Sequence, residues 1–119
     1  MEALPASHVL DRVEGLRRVR GNGALYRELV DVFLADLPRA LGTIDSASAS
    51  RDMKPLNCAL HALKGTAGQI GAGALAERAR VMETLVAAGD WTKFEQQRRL
   101  LTQDLDRLRA ALQILPEVG

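Results

Sequence analysis

The sequence is poor in the residue types on which several functional classes depend. Aromatic residues make up only 3% of its 119 residues, which argues against a platform for stacking nucleic-acid bases. Cys58 is the only cysteine, so the chain has neither an internal disulfide nor a cysteine-based metal cluster. The formal net charge is +1, and this balance gives no sign of nucleic-acid binding.

Long apolar runs are also missing. No run approaches the ~18 residues of a membrane span, and no basic-then-apolar leader opens the sequence. We therefore expect a cytoplasmic protein without direct membrane contact.

The length fits a single domain over residues 1–119 with one hydrophobic core. Within it we expect an extended arm at residues 1–9, marked by Leu4-Pro5, and a folded part at residues 10–115, closed by Pro116.

A short helix is predicted at the start of the folded part. Asp11 is a good N-cap, and Glu14 stands three residues later in capping-box spacing. Val13, Leu16 and Val19 follow on one apolar stripe. Four longer segments with apolar residues at three- and four-residue steps come after it, and this period predicts amphipathic helices.

The first long helix begins after a second capping residue, Asn22. Pro38 lies in its interior, which predicts a kink near residues 34–37. The small residues of segment 45–50 indicate the end of the helix and a loop. Its predicted core stripe comprises Leu25, Leu29, Val32, Phe33, Leu37, Leu41 and Ile44.

Turn residues separate the other three long helices. Asp52 caps the second, with Pro55 in its first turn, Gly71–Gly73 forms a tight reversal, and Gly89 and Asp90 precede the last helix. The core residues of the last two helices are Leu75, Ala79, Met82 and Val86, then Trp91, Phe94, Leu101, Leu105, Leu108 and Leu112. Long amphipathic helices with short connections predict an all-α, antiparallel up-down four-helix bundle, preceded by the short helix.

The second long helix carries a histidine on the face opposite its core. At 100° per residue, His61 lies roughly 140° from the centre of the apolar stripe. Its neighbours on that face are Asn57, Lys64, Gly65 and Gly68. Each glycine weakens a helix by about 1 kcal/mol relative to alanine, and an exposed position offers no folding reason for that cost. We interpret the glycines as a clearing that lets a large partner reach the imidazole. The core stripe consists of Leu56, Leu60, Leu63, Ala67 and Ile70.

The charges around His61 favour an anionic group. Asp and Glu are absent from Met53 to Ala76, where the average composition predicts roughly 3. Lys54 and Lys64 are the only charged residues of that segment. A phosphoryl group carries about two negative charges at pH 7. A neutral imidazole can offer its lone pair to phosphorus, and Lys64 can neutralise the phosphoryl oxygens.

Hairpin geometry predicts a partner for the imidazole. If the chain reverses about Ala72, the residue level with His61 on the next helix is Glu83. Its carboxylate could accept the Nδ1–H and fix the tautomer that leaves Nε2 free. An exposed helix carboxylate without this role is an equal alternative.

The stretch HALKGTAGQIGAGAL resembles the signature of histidine-containing phosphotransfer (HPt) domains of bacterial two-component phosphorelays. GLRRVRGNGALYRELVDVFLADLP and AAGDW are similar to the family's first helices and to the start of its last helix, so the likeness covers about residues 10–112. It implies that His61 is the phosphorylated residue, Lys64 supports the phosphate, Gly65 gives clearance and Glu83 is hydrogen-bonded to the histidine.

Three positions depart from the family pattern. Ala67 stands where many members have Ser, Gly68 is an additional glycine, and Cys58 lies near the docking face. Because Ala67 is a core position, we expect its effect to be small. Gly68 and Cys58 could alter the choice of partner without disturbing the transfer chemistry.

The resemblance implies a phosphocarrier rather than an enzyme. His61 would take a phosphoryl group from an aspartyl phosphate of one receiver domain and pass it to an aspartate of another. No cofactor is expected in this chain, and Mg²⁺ would be held by the receiver. The partners would be receiver domains of response regulators, of a hybrid sensor histidine kinase, or both. The chain would act as a monomer, either freestanding or as the C-terminal module of a membrane-bound hybrid kinase.

Two alternatives remain open from the sequence. The phosphorylatable domain of a chemotaxis-type kinase shares the H-x-x-K-G pattern, and a helical adaptor could keep the fold without the phosphate. An autophosphorylating kinase is excluded because the chain has no Gly-rich nucleotide-binding segment. The other candidates need no functional role: we interpret His8 as a surface histidine, Gly71 and Gly73 as turn residues, and Cys58 as an inert thiol.

Overall fold

The computed structural model describes residues 9–113 and is all-α over that range. It contains α1 (Arg12–Arg18), α2 (Gly23–Ser50), α3 (Met53–Gln69), α4 (Gly73–Ala88) and α5 (Trp91–Gln113). Each long helix packs against the next through a short connection, which gives the predicted antiparallel bundle with a short N-terminal helix. Leu4-Pro5, His8 and Pro116 lie outside the described residues.

The core is built from one stripe of each long helix, and the stripes predicted for α3, α4 and α5 are confirmed, apart from Trp91, which is half-buried and packs against the core. Phe94 at the start of α5 is fully buried and meets Trp91 edge to face, with ring centroids 5.5 Å apart. The buried apolar side chains of α3 to α5 are Leu56, Leu60, Leu63, Ala67, Leu75, Ala79, Met82, Val86, Phe94, Leu101, Leu105, Leu108 and Leu112.

The predicted core stripe of α2 is partly wrong. Val32 and Leu25 are 66% and 40% exposed, whereas Tyr26 and Val30 are buried. The true stripe is offset by one residue at its start, and one residue corresponds to about 100° around a helix. Burial of Tyr26 is possible because its hydroxyl donates a hydrogen bond of 2.7 Å to the carbonyl oxygen of Ile70.

The loop predicted over residues 45–50 is also wrong, because α2 remains helical to Ser50. Ala47 and Ser48 are buried there. The serine hydroxyls of the segment donate to carbonyl oxygens about one turn earlier, which satisfies them inside the helix. The helix ends at Arg51, in the left-handed conformation with φ 57°. It also continues through Pro38.

Helix α1 is capped as predicted but faces the bundle differently. Asp11 accepts a hydrogen bond of 3.0 Å from the Glu14 backbone N–H. The reciprocal bond of a capping box is not formed, because the Glu14 carboxylate binds arginines of its own helix and the Asp11 N–H donates to Gly71 O at 2.7 Å. Val13 is 79% exposed, contrary to prediction, because α1 turns the buried Gly15 toward the bundle.

The turn residues mostly act as the sequence predicts. Asn22 and Asp90 each accept a hydrogen bond from the backbone N–H three residues later. Asp52 occupies the N-cap of α3, but within residues 9–113 its side chain makes no cap hydrogen bond, so that prediction is only half right. Gly71 has φ +82°, and a Cβ there would lie 2.1 Å from Asp11 O, so the close approach of α1 requires glycine.

Candidate functional site

The imidazole of His61 projects from the middle of α3 into solvent. Its side chain is 74% exposed, while Leu60 and Leu63 on the opposite face are buried. Asn57 and Gly65, one turn before and one turn after it, are exposed as well. The exposure that the sequence predicts for His61 is therefore observed, and nothing among residues 9–113 encloses the ring.

The two glycines beside His61 leave open space. A Cβ at Gly65 or Gly68 would meet no atom of the described residues within 4 Å beyond its own helix turn. By contrast, a Cβ at Gly15 would lie 2.3 Å from the ring of Tyr26. Packing therefore requires glycine at position 15 but not at positions 65 and 68. Their helix-weakening effect has no structural compensation in the bundle.

Glu83 lies beside His61, but its nearer partner is Lys64. The Lys64 ammonium is 2.9 Å from Glu83 Oε1, whereas His61 Nδ1 is 3.7 Å from Oε2. The second distance is too long for a hydrogen bond, so the expected Nδ1–H bond to Glu83 is not formed. The reason is charge: a full cation attracts the carboxylate more strongly than a neutral ring N–H does.

The Glu83 carboxylate is only partly compensated. Its side chain is 24% exposed, and within residues 9–113 its buried Oε1 has no hydrogen bond of regular geometry. We therefore regard the contact with Lys64 as an ion pair by proximity rather than a directional hydrogen bond. The Lys64 side chain is itself 35% exposed, so water reaches the pair from one side.

A groove that the sequence does not reveal lies between α2 and α3, next to the histidine face. It has a volume of about 450 Å³ and is lined mainly by apolar side chains. Leu29 and Val32, which the sequence predicts in the core, line it from α2. Cys58 and Ala62, both exposed on α3, lead from the groove to His61. An apolar stripe wider than the core needs was the signal that could have identified this groove.

Comparison with protein families identifies the chain. The family model of the Hpt domain matches residues 28–111, well over half of the sequence. The chain belongs to the Hpt domain family. Membership implies histidine phosphotransfer in a phosphorelay, and Hpt domains are phosphocarrier modules. No protein with a curated description matches the sequence.

The match to the Hpt domain covers all of α3 and α4, so His61, Lys64 and Glu83 lie inside it, while α1 precedes it. Between residues 9 and 113, no group of three or more His, Cys, Asp or Glu side chains is placed to hold a metal ion. In the same range, no helix of the Hpt domain combines the length and the apolar character needed to cross a bilayer.

Proposed function

We propose that this Hpt domain relays a phosphoryl group between receiver-domain aspartates through phosphohistidine at His61. One observation carries the proposal: a solvent-exposed imidazole stands on a glycine-cleared helix face, with the Lys64–Glu83 ion pair beside it. A nucleophile that must enter a second protein's active site needs both features, because the partner's backbone has to approach the ring closely.

The transfer step balances without a further reactant. The lone pair of His61 Nε2 forms the N–P bond while the P–O bond to the donor aspartate breaks. The leaving electron pair stays on the aspartate, which becomes a carboxylate. The Nδ1 proton remains on the ring, which then carries a positive charge next to the phosphoryl dianion. Passing the group to a second aspartate reverses the same exchange of bonds.

Lys64 and the glycines serve this step in different ways. The ammonium of Lys64 lies one turn from His61 and can neutralise the phosphoryl oxygens, which is the electrostatic part of phosphoryl transfer. Gly65 and Gly68 keep the approach to Nε2 open. Mg²⁺, which also neutralises the transferred group, would be held by the receiver domain.

The face of His61 and the groove between α2 and α3 form one docking surface for a receiver domain. Cys58 and Ala62 of α3 connect the two and are exposed, as is Val32, which lines the groove from α2. Small, uncharged side chains of this kind suit a modest, partly apolar and transient interface. The domain would work as a monomer in the cytoplasm, with receivers of response regulators, of a hybrid sensor kinase, or both as partners.

A phosphotransfer assay tests the proposal. The purified chain is incubated either with a receiver phosphorylated by acetyl phosphate or with ATP and a separate histidine-kinase core. We expect the chain to acquire phosphate rapidly from receivers and His61→Gln to remain unlabelled. We expect no labelling in the incubation with ATP and the kinase core. Labelling by the kinase core but not by any receiver would instead identify a chemotaxis-type kinase domain. A chain that no donor labels would be an adaptor.

A further inference from the structure

One carboxylate serves two groups of the site. Glu83 Oε1 is 2.9 Å from Lys64 Nζ, and Glu83 Oε2 is 3.7 Å from His61 Nδ1. The side chain that carries it is three-quarters buried, so it lies between α3 and α4 with limited access to water. Its charge acts mainly on Lys64, the nearer neighbour, across a partly buried contact, whereas the His61 side chain is 74% exposed to water.

We propose that Glu83 is a positioning residue that holds Lys64 before phosphorylation and releases it to the phosphoryl group afterwards. This inference rests on the proposed function of His61. In the unphosphorylated chain, Lys64 is paired with Glu83. Once the phosphoryl group is on Nε2, the ammonium turns to its oxygens, and Glu83 becomes the acceptor of the Nδ1–H that it does not bond in the free chain.

The exchange follows from the charges on each side. The phosphoryl group offers Lys64 about two negative charges, against one on Glu83. When Lys64 leaves, Glu83 keeps a partly buried charge that needs a new partner. The nearest donor is Nδ1–H, which belongs to a positively charged ring after the transfer. A movement of less than 1 Å would bring the 3.7 Å contact to hydrogen-bond distance.

The exchange gives Glu83 a measurable effect on the transfer equilibrium. Its ion pair with Lys64 stabilises the unphosphorylated state, and its charge repels the phosphoryl dianion. In the phosphorylated state, the attraction of Glu83 for the cationic ring and its repulsion of the phosphoryl dianion largely offset each other, so the main effect of removing the charge is the loss of the Lys64 pair from the unphosphorylated state, which favours phosphohistidine. Glu83→Gln keeps the size and an acceptor for Nδ1–H but frees Lys64. We expect the equilibrium between phosphorylated receiver and this domain to move toward phosphohistidine by up to about fivefold, the upper end for a solvent-accessible ion pair.

Glu77→Gln provides the matched control. This substitution removes the same charge from the same helix as Glu83→Gln. Glu77, however, is exposed and paired with Arg80, away from the histidine face. A second control is Glu83→Gln combined with Lys64→Ala. The double variant is compared with Lys64→Ala alone. If Glu83 acts through Lys64, Glu83→Gln should shift the equilibrium much less in this background than it does in the wild type. A direct effect of Glu83 on the ring, or a purely structural role, would leave the shift unchanged.

The experiment combines the equilibrium measurement with NMR of the Lys64 side chain and the His61 ring nitrogens. Phosphoramidate, a small-molecule phosphoryl donor, supplies phosphohistidine without a receiver. We expect phosphorylation and Glu83→Gln to change the Lys64 signals, and the Nδ1–H signal to show a new hydrogen bond only after phosphorylation. If His61 is phosphorylated but Glu83→Gln and Glu77→Gln give the same transfer equilibrium and the same Lys64 signals, the exchange is wrong while the proposed function stands. A wild-type chain that accepts phosphate from neither donor would overturn the proposed function together with the exchange.

Discussion

Gly65 follows His61 by one turn on the same face of α3, and the space where its side chain would stand is empty. At this position the requirements of folding and of transfer are therefore opposed. The helix would be more stable with a side chain, whereas the approach of a partner to the imidazole needs the position bare.

Substitution of Gly65 should separate stability from transfer. Gly65→Ala should raise the free energy of unfolding by about 1 kcal/mol, because alanine is the better helix former and meets no obstruction. Gly65→Leu should keep the fold and stop receiver-dependent phosphorylation. Urea unfolding and the transfer assay measure the two effects.

Gly42 provides the control for this pair of variants. It is an exposed helix-interior glycine of α2, and a Cβ there would also contact no atom of the described residues within 4 Å. Gly42→Leu should leave transfer unchanged. If Gly65→Leu unfolds the domain, or transfers phosphate at the wild-type rate, Gly65 does not serve to keep the approach to His61 open.

Lys64→Ala should slow transfer to and from His61 by at least about tenfold, which corresponds to about 1.4 kcal/mol of lost transition-state stabilisation. Lys54→Ala is the matched control, because Lys54 is an exposed lysine nearly three turns before Lys64 on the same helix. Rapid-quench kinetics with a phosphorylated receiver compare the two. Equal rates for both variants would remove Lys64 from the mechanism.

The ion pair between α4 and α5 should matter for stability rather than for transfer. Asp104 is buried and accepts a hydrogen bond of 2.8 Å from Arg78, which also binds Gln97. Asp104→Ala leaves the guanidinium partly buried without its anion, so we expect a loss of about 2–4 kcal/mol in the free energy of unfolding. Asp106→Ala, an exposed neighbour on the same helix, should cost little. Equal denaturation midpoints for the two variants would contradict this account.

Tyr26 should give the domain a specific sensitivity to alkaline pH. Burial raises the pKa of the Tyr26 phenol above its usual value of 10.0. The unfolded chain therefore ionises first, and the stability contributed by neutral Tyr26 is lost as the pH rises above about 10. Tyr26→Phe should cost about 1 kcal/mol at pH 8 through the lost bond to Ile70 O. The free energies of unfolding of the wild type and Tyr26→Phe, measured by urea denaturation, should differ less at pH 11 than at pH 8. A difference that stays constant would show that burial does not raise the pKa of the Tyr26 phenol.

The reach of sequence reasoning differs between helices for physical reasons. On α3 the apolar and small residues segregate sharply, so the wheel places His61 and the core correctly. On α2 apolar side chains cover more than the core-facing stripe, and Val32 belongs to the groove rather than to the interior. A buried tyrosine is hard to predict, because its burial depends on an acceptor 44 residues away.

The candidate site was predictable in position but not in pairing. Hairpin arithmetic places Glu83 next to His61, since backbone rise alone fixes which residues are level. It does not decide between two competing donors, because that depends on how far the flexible Lys64 side chain reaches. The same limit applies to segment 45–50, where serine hydroxyls are satisfied within the helix instead of forming a turn.

Identification of the phosphorylated atom tests the central claim most directly. The chain is phosphorylated by a receiver, and the product is examined by ³¹P NMR and by its stability in acid and base, for the wild type and for His61→Gln. We expect an acid-labile, base-stable phosphate on Nε2 of His61, and an unlabelled His61→Gln with unchanged helical circular dichroism. Phosphate retained by a folded His61→Gln would contradict the account.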